Sequence, residues 1–154
     1  RLVVELAKMP FQKQEEILHE ILSHKLFRRD CQDDTGIGMQ MTENAQVKFG
    51  KFRVEGVTFT NKVKEDLAYR LRTEFENKTV FIPSKHEIRE DLHSVRRITT
   101  ASNNIRFDAD RSDNGHADRF WALALALHAA DNGSGDIHIS TRKRRESFDM
   151  VANF

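Results

Sequence analysis

Carboxylates stand at two places where backbone geometry could make chemistry of them. Asp33 and Asp34 close the stretch FRRDCQDD, which reads as a short strand and runs straight into TGIG, residues 35–38. Asp118 stands near the start of GHADRFWALALALHAA, residues 115–130, a segment so apolar that it reads as a helix with almost no solvent face. A carboxylate in the first turn of such a helix has two readings. It can be a capping charge, stabilised by the amino-terminal dipole and the free N–H groups. It can also be a ligand held at the edge of the core on a rigid support. A carboxylate at a strand end, joined by a second from a distant helix, is the oxygen donor set that binds Mg²⁺ or Mn²⁺. Two such ions can activate a water and stabilise the leaving oxygen of a phosphodiester.

Other side chains compete for attention. TGIG could cradle a phosphate on its backbone N–H groups, but it lacks the lysine of a P-loop, and a plain strand-to-helix turn is the simpler reading. Asp108 and Asp110 flank Ala109; pairing with Arg106 or Arg111 is the ordinary expectation, metal binding the sharper one. His116 could assist proton transfer or touch a phosphate, or merely serve the helix entry. Cys31, one residue inside the strand end, reads as a small core residue. His19 and His24 share no ligand set, and with one cysteine in the chain a zinc site is not expected. Arg96, Arg97 and Arg106 lie on a hairpin, with Arg111 and Arg119 around the final motif. They read as a solvated face, or as positive charge for a phosphate backbone. TRKRRES, with Arg142–Arg145, reads as a solvated tail before it reads as a contact for DNA.

The elements that must hold these groups follow from local pattern. Leu2–Ala7 suits a strand. Pro10 can open a helix whose apolar stripe is Ile17, Leu18, Ile21 and Leu22, ending near His24. After TGIG a helix carries Met41, Ala45 and Phe49 on one face. Phe52–Phe59 has strand composition. Thr60 or Asn61 caps a helix with Val63, Leu67, Leu71 and Phe75 inward, out to about Asn77. Val80–Ile82 is a short extended piece, and Ser84 with Glu87 is a capping box for a helix burying Ile88 and Leu92. SVRRITTASNNIRFDADR reads as a hairpin turning near Ala101–Asn104, before the apolar helix and a loose tail. Strand alternating with helix argues for an α/β sheet with parallel neighbours, and sites in such sheets form at the carboxyl ends of strands.

The chain has 154 residues, enough for one domain with a real core. A charged fraction of 32% with only 7 Gly and 2 Pro excludes a disordered or fibrous chain. Net charge is +1, so nucleic-acid contact must come from local clustering. A single cysteine excludes an internal disulfide and fits a reducing compartment. No apolar run is long enough to span a membrane. A chain opening on RLVVELA, without an initiator Met, is expected to be a fragment.

DDTGIGMQM, EGVTFTNKVKEDLAYRLR, LHSVRRITT and NIRFDADRSDNGHADRFWALALALHAA, in this order, resemble the carboxy-terminal nuclease domain of the large terminase subunit of Mu-like phages and prophages, over about residues 1–130. The resemblance implies a ribonuclease H-like α/β fold: a mixed sheet with flanking helices and a β-hairpin, here without its first two strands. Residues 1–130 would be the nuclease domain and 131–154 a tail. It implies a Mg²⁺- or Mn²⁺-dependent endonuclease that cuts double-stranded DNA by a two-metal-ion mechanism. Asp33 would correspond to the acid on the strand beside the central one and Asp118 to the acid on the last helix, with Asp34 and Asp110 as further ligand candidates. Arg96, Arg97, Arg106, Arg111 and Arg119 would face DNA, with His116 as an accessory. Portal protein and small terminase subunit are the implied partners. The implied place is the cytoplasm of the bacterial host, with no membrane and no part in the mature virion. The family's first-strand acid is not in this sequence, so the chain by itself is expected to be a weak or inactive nuclease. No GxxxxGK[ST] occurs, so the ATPase motor is absent from it too. Two other readings stay open: another ribonuclease H-like polynucleotidyl transferase, such as a transposase or resolvase, and a non-catalytic portal-docking module. Divalent-metal titration separates the docking module from both nucleases.

Overall fold

The computed structural model describes residues 3–100, 103, 105–109 and 117–132. Along the chain these form α1 (Phe11–Ser23), β1 (Asp30–Asp33), α2 (Ile37–Phe49), β2 (Val54–Val57), α3 (Asn61–Glu76), α4 (His86–Ser94), β3 (Val95–Thr99), β4 (Ile105–Ala109) and α5 (Asp118–Asn132). Strands β1 and β2 pair in parallel, with Asp30 opposite Val54 and Asp33 opposite Val57. Strands β3 and β4 form a separate antiparallel hairpin, Val95 opposite Ala109 and Thr99 opposite Ile105. The two parallel strands need a crossover, and α2 supplies it.

The β1–β2 pair lies between two apolar layers. On one face Leu22 of α1, Ala45 of α2 and Val54 form a small core, with Leu18, Phe27 and Phe49 against it. On the other, Val57 joins Leu67, Ala68 and Leu71 of α3 with Phe120, Trp121, Ala124 and Leu125 of α5. The hairpin closes that second core from outside, where Phe107 meets Tyr69 edge to face with ring centroids 5.3 Å apart. Helix α3 begins as its sequence predicts: the Thr60 hydroxyl accepts from the Val63 N–H at 3.2 Å.

Several local expectations change. Residues 3–7 belong to no strand, and among the described residues β1 has β2 as its sheet neighbour. Pro10 is the cap rather than the first helical residue; its carbonyl accepts from Lys13 and Gln14. Thr42, not Met41, joins Ala45 on the buried face of α2. The strand expected over Phe52–Phe59 shrinks to Val54–Val57, because Gly50 starts a turn and Phe52 stands in solvent. Residues 80–82 form loop. The capping box fails because Lys85 takes the cap position, leaving Ser84 one residue too early to reach the helix N–H groups. Helix α5 is also less enclosed than its composition suggests: Asp118, Ala122 and Ala126 follow one another at helical spacing on an exposed stripe. Alanine needs no cover, so an apolar letter there did not mean burial. No helix of the described residues is long and apolar enough to cross a membrane.

Candidate functional site

The polar strand β1 works because its two faces do different things. Side chains alternate along a strand, so Asp30, Gln32 and Asp34 share one face, and Cys31 and Asp33 the other. The first face meets α2: the Thr42 hydroxyl donates to the Gln32 amide oxygen at 3.2 Å, and Gln32 in turn donates to Asp30. Asp34 lies over Gly56 on this same face, its Oδ1 buried without a hydrogen-bond partner. Asp33 shares the face of Cys31, which packs against the core that α5 completes. The sequence left open which of the two aspartates turns toward α5; the pleat directs Asp33 that way and Asp34 away.

TGIG is a turn with two different glycine requirements. Gly36 has φ +61°, a left-handed backbone that favours glycine. Gly38 sits so close under β1 that a Cβ would run into the Asp33 carbonyl. The Asp33 carboxylate accepts from the Thr35 N–H at 3.0 Å, and the Thr35 hydroxyl accepts from the Phe59 N–H at 3.3 Å. The strand ends are thereby tied together. The Gly38 and Met39 N–H groups, which a phosphate would need, bond back to Thr35 and Gly36.

Helix α5 packs over β1 with its direction reversed. Trp121 meets Phe59 beyond the carboxyl end of β2, with ring centroids 5.4 Å apart, and His128, two turns later, reaches Glu55 at 3.2 Å. The start of α5 therefore stands at the carboxyl end of the β1–β2 pair, while the cavity that Asp118 lines does not include Asp33. Asp118 is exposed and lines a cavity of about 660 Å³ together with residues 3–7, Phe81 and Asp91. Lys64 lies 5.1 Å from the Trp121 ring, which brings positive charge to this end; nothing in its sequence context marked it.

The helix entry is capped from outside. Ala117 takes a left-handed backbone, φ +58°, and the Asp91 carboxylate accepts from the Arg119 N–H at 3.1 Å. The Arg119 side chain is enclosed by partners of this chain: Glu5 at 2.6 Å and 2.9 Å, and Asp91 at 3.2 Å. These bonds raise its pKa, and they hold the Glu5 carboxyl below its ordinary value. Arg119, expected to face DNA, instead fastens residues 3–7 to α4 and α5. The hairpin arginines do not share one face either. Arg96 stands opposite Asp108, and Arg106 opposite Ile98, on the outer face, where Arg106 pairs with Asp108 at 2.7 Å. Arg97 stands opposite Phe107, on the face toward α3. Asp110, Arg111, His116 and the basic cluster Arg142–Arg145 lie outside the described residues.

Glu55, which nothing in the sequence singled out, organises a polar cluster on the α5 face. Its carboxylate takes the Arg29 guanidinium at 2.5 Å, the Cys31 thiol at 3.4 Å and His128 at 3.2 Å. A usable signal did exist: His128 is the one polar side chain between Phe120 and Ala130. Burial works against the Glu55 charge, yet the bonds from Arg29, His128 and Cys31 outweigh it and hold the pKa at about 2, below the ordinary 4.5. Burial first, then the Glu55 charge, pushes the Cys31 thiol up to about 12. A folded-state pKa below the unfolded one adds stability above the unfolded value and loses it as pH falls toward the folded value. The urea midpoint is therefore expected to fall between pH 5 and pH 3. That acid limb should be shallower in Glu55→Gln; an unchanged limb would remove Glu55 from the account of acid sensitivity.

What the molecule presents is thus a parallel strand pair with a glycine turn at its carboxyl end, an aspartate on the face toward a reversed apolar helix, and a second aspartate in that helix's first turn. Neither a curated protein nor a solved structure matches the chain. A family model described as the terminase RNaseH-like domain matches residues 5–130, from the segment that Arg119 fastens through most of α5. By that match the mixed α/β architecture is ribonuclease H-like and its function is of the terminase nuclease type: the chain belongs to the terminase ribonuclease H-like domain family.

Proposed function

We propose that this domain is a Mg²⁺- or Mn²⁺-dependent endonuclease that hydrolyses double-stranded DNA for viral packaging, with Asp33 and Asp118 as ligands of two ions. What supports the reading is the reversed packing of α5 over β1, which brings the start of that helix to the carboxyl end of the β1–β2 pair. Both donors are carboxylate oxygens, the type these hard cations take. When bound, such ions make a water easier to ionise and offset charge developing on the phosphate. The protein's own part is to hold the two acids on rigid supports: Asp33 through its turn with Thr35, Asp118 through the apolar face of α5. Lys64 and the outer hairpin arginines would meet the backbone phosphates. Residues 1–130 would form the nuclease domain, the last helix running on to Asn132, and 131–154 the tail. Portal protein and small terminase subunit would be its partners, in the host cytoplasm.

Nicking of supercoiled plasmid in Mn²⁺ tests the proposal, with this chain and with one extended upstream to carry the family's first-strand acid. The chain alone is expected to be weak and the extended one active. Relaxed plasmid no more abundant than in the EDTA control, for both, would leave a docking module as the better reading.

The hairpin makes a separate prediction about binding. Each phosphate contact removed reduces the slope of log K against log salt by about 0.9. Arg96→Ala with Arg106→Ala is expected to lower affinity for all DNA sequences alike and reduce that slope by about 1.8. Arg97→Ala, on the inner face, is expected to leave the slope unchanged. A slope that responds to Arg97 alone would place the DNA on the other side of the hairpin.

A further inference from the structure

We propose that Cys31, Glu55 and His128 form a second cation site, for Zn²⁺ or a similarly soft divalent ion, which pins α5 to β1 and β2 below the Asp33 end of the sheet. The three donors come from three separate elements, and one ligand atom of each lies within 4.8 Å of the other two. The thiol sulfur is 3.4 Å from one carboxylate oxygen and the imidazole Nε2 is 3.2 Å from the other. With Zn–N, Zn–O and Zn–S bonds of about 2.0–2.3 Å, donors around a tetrahedral ion lie roughly 3.3–3.8 Å apart. Small side-chain rotations therefore suffice to close the set. All three residues are half-buried, sheltered from bulk solvent yet within reach of it.

The donor chemistry separates this site from the carboxylate pair. Sulfur and imidazole select Zn²⁺ over Mg²⁺, which takes oxygen. The chain's histidines at 19 and 24 gave no reason to expect zinc; the fold brings His128 to Cys31 instead. Arg29 donates to Glu55 Oε2 and would remain there as the outer partner of a ligating carboxylate. On binding, the Cys31 S–H bond breaks, the proton passes to solvent and a sulfur–metal bond forms, with no change in oxidation state. Cys31 and Asp33 share a face two residues apart, roughly 6.6 Å along the strand. An ion here would fix the height of α5 on the strand pair, a structural role that does not depend on the nuclease reading.

Co²⁺ titration of the full chain tests the site, because a thiolate bound to Co²⁺ gives a near-ultraviolet charge-transfer band and the chain has one cysteine. The expected result is a band that saturates at one equivalent, is displaced by Zn²⁺, and persists in Asp33→Asn. Cys31→Ser, close to isosteric, should abolish the band. His128→Gln, which removes a direct ligand, should weaken Zn²⁺ affinity by more than the roughly 10–100-fold that loss of an outer partner costs. Zn²⁺ should raise the Tm of the wild type but not of Cys31→Ser, a readout that also reports whether each variant folds. No band, or saturation at half an equivalent with two chains sharing an ion, would overturn the proposal.

Discussion

Asp118→Ala is expected to lower Mn²⁺-dependent nicking on the order of 10³-fold, about 4 kcal/mol of transition-state stabilisation, while the protein stays folded. The two readings of this carboxylate make opposite demands. If Asp118 only complements the helix dipole, its loss costs about 0.3–1 kcal/mol of stability and leaves cutting untouched. If it holds an ion, the stability change is equally small, because the side chain is exposed and the apolar face of α5 is unaltered, but activity and Mn²⁺ affinity both collapse. Asp118→Asn keeps the shape and removes the charge, so it should resemble the alanine variant in activity and the wild type in stability. The assay belongs in the upstream-extended chain, where activity is expected to be measurable, with calorimetric Mn²⁺ titration alongside. Wild-type cutting by Asp118→Ala would return the residue to the role of a dipole charge and remove it from the site.

The second large effect is expected at a residue with no chemistry. Gly38→Ala adds one methyl group in the first turn of α2, and on an exposed helix that change would stabilise by up to about 1 kcal/mol. Here the methyl would collide with the Asp33 carbonyl, which cannot rotate aside as a side chain could. Either α2 lifts from β1 or the strand end shifts, and overpacking of this kind typically costs about 1–3 kcal/mol. A net loss of about 2 kcal/mol or more is expected in urea unfolding, with nicking impaired as well because the displaced residue is Asp33. Gly36→Ala is the internal comparison. It meets no atom within 4 Å, so its cost is the strain of a φ +61°, ψ −119° backbone alone, about 1–3 kcal/mol, and the fold around Asp33 should survive. A Gly38→Ala protein as stable as the wild type would mean that the turn has room the structure does not show.

Much of this could be read directly from the chain. The 3.6-residue spacing of Val63, Leu67 and Leu71 and the hydroxyl of Thr60 locate α3, because a helix stripe and its cap are local properties. The hairpin and its two arginine-bearing strands are legible for the same reason. So are the turn chemistry of TGIG and the two aspartates beside the elements that present them. Local pattern fails where neighbours decide. RLVVELA is apolar enough for a strand, yet a strand needs an edge to pair with, and residues 3–7 lie instead beside α5, tied through Glu5 to Arg119. The Ser84–Glu87 spacing satisfies a capping motif, but the helix begins one residue later than the motif requires.

What the sequence by itself determined is the inventory: an α/β fold, its helices, its hairpin, and acids placed at a strand end and a helix start. Tertiary structure alone decided orientation. Which of Asp33 and Asp34 turns toward α5 depends on the pleat of β1 against two different layers, a matter of one residue's parity. Whether Arg119 faces outward depends on Glu5 and Asp91, which lie 114 and 28 residues away in the chain. That Cys31, Glu55 and His128 meet depends on α5 running back along β1, since no spacing in the sequence relates them. Periodicity records which face of an element is apolar; it carries no information about what that face will meet, and the chemistry of this chain lies in those meetings.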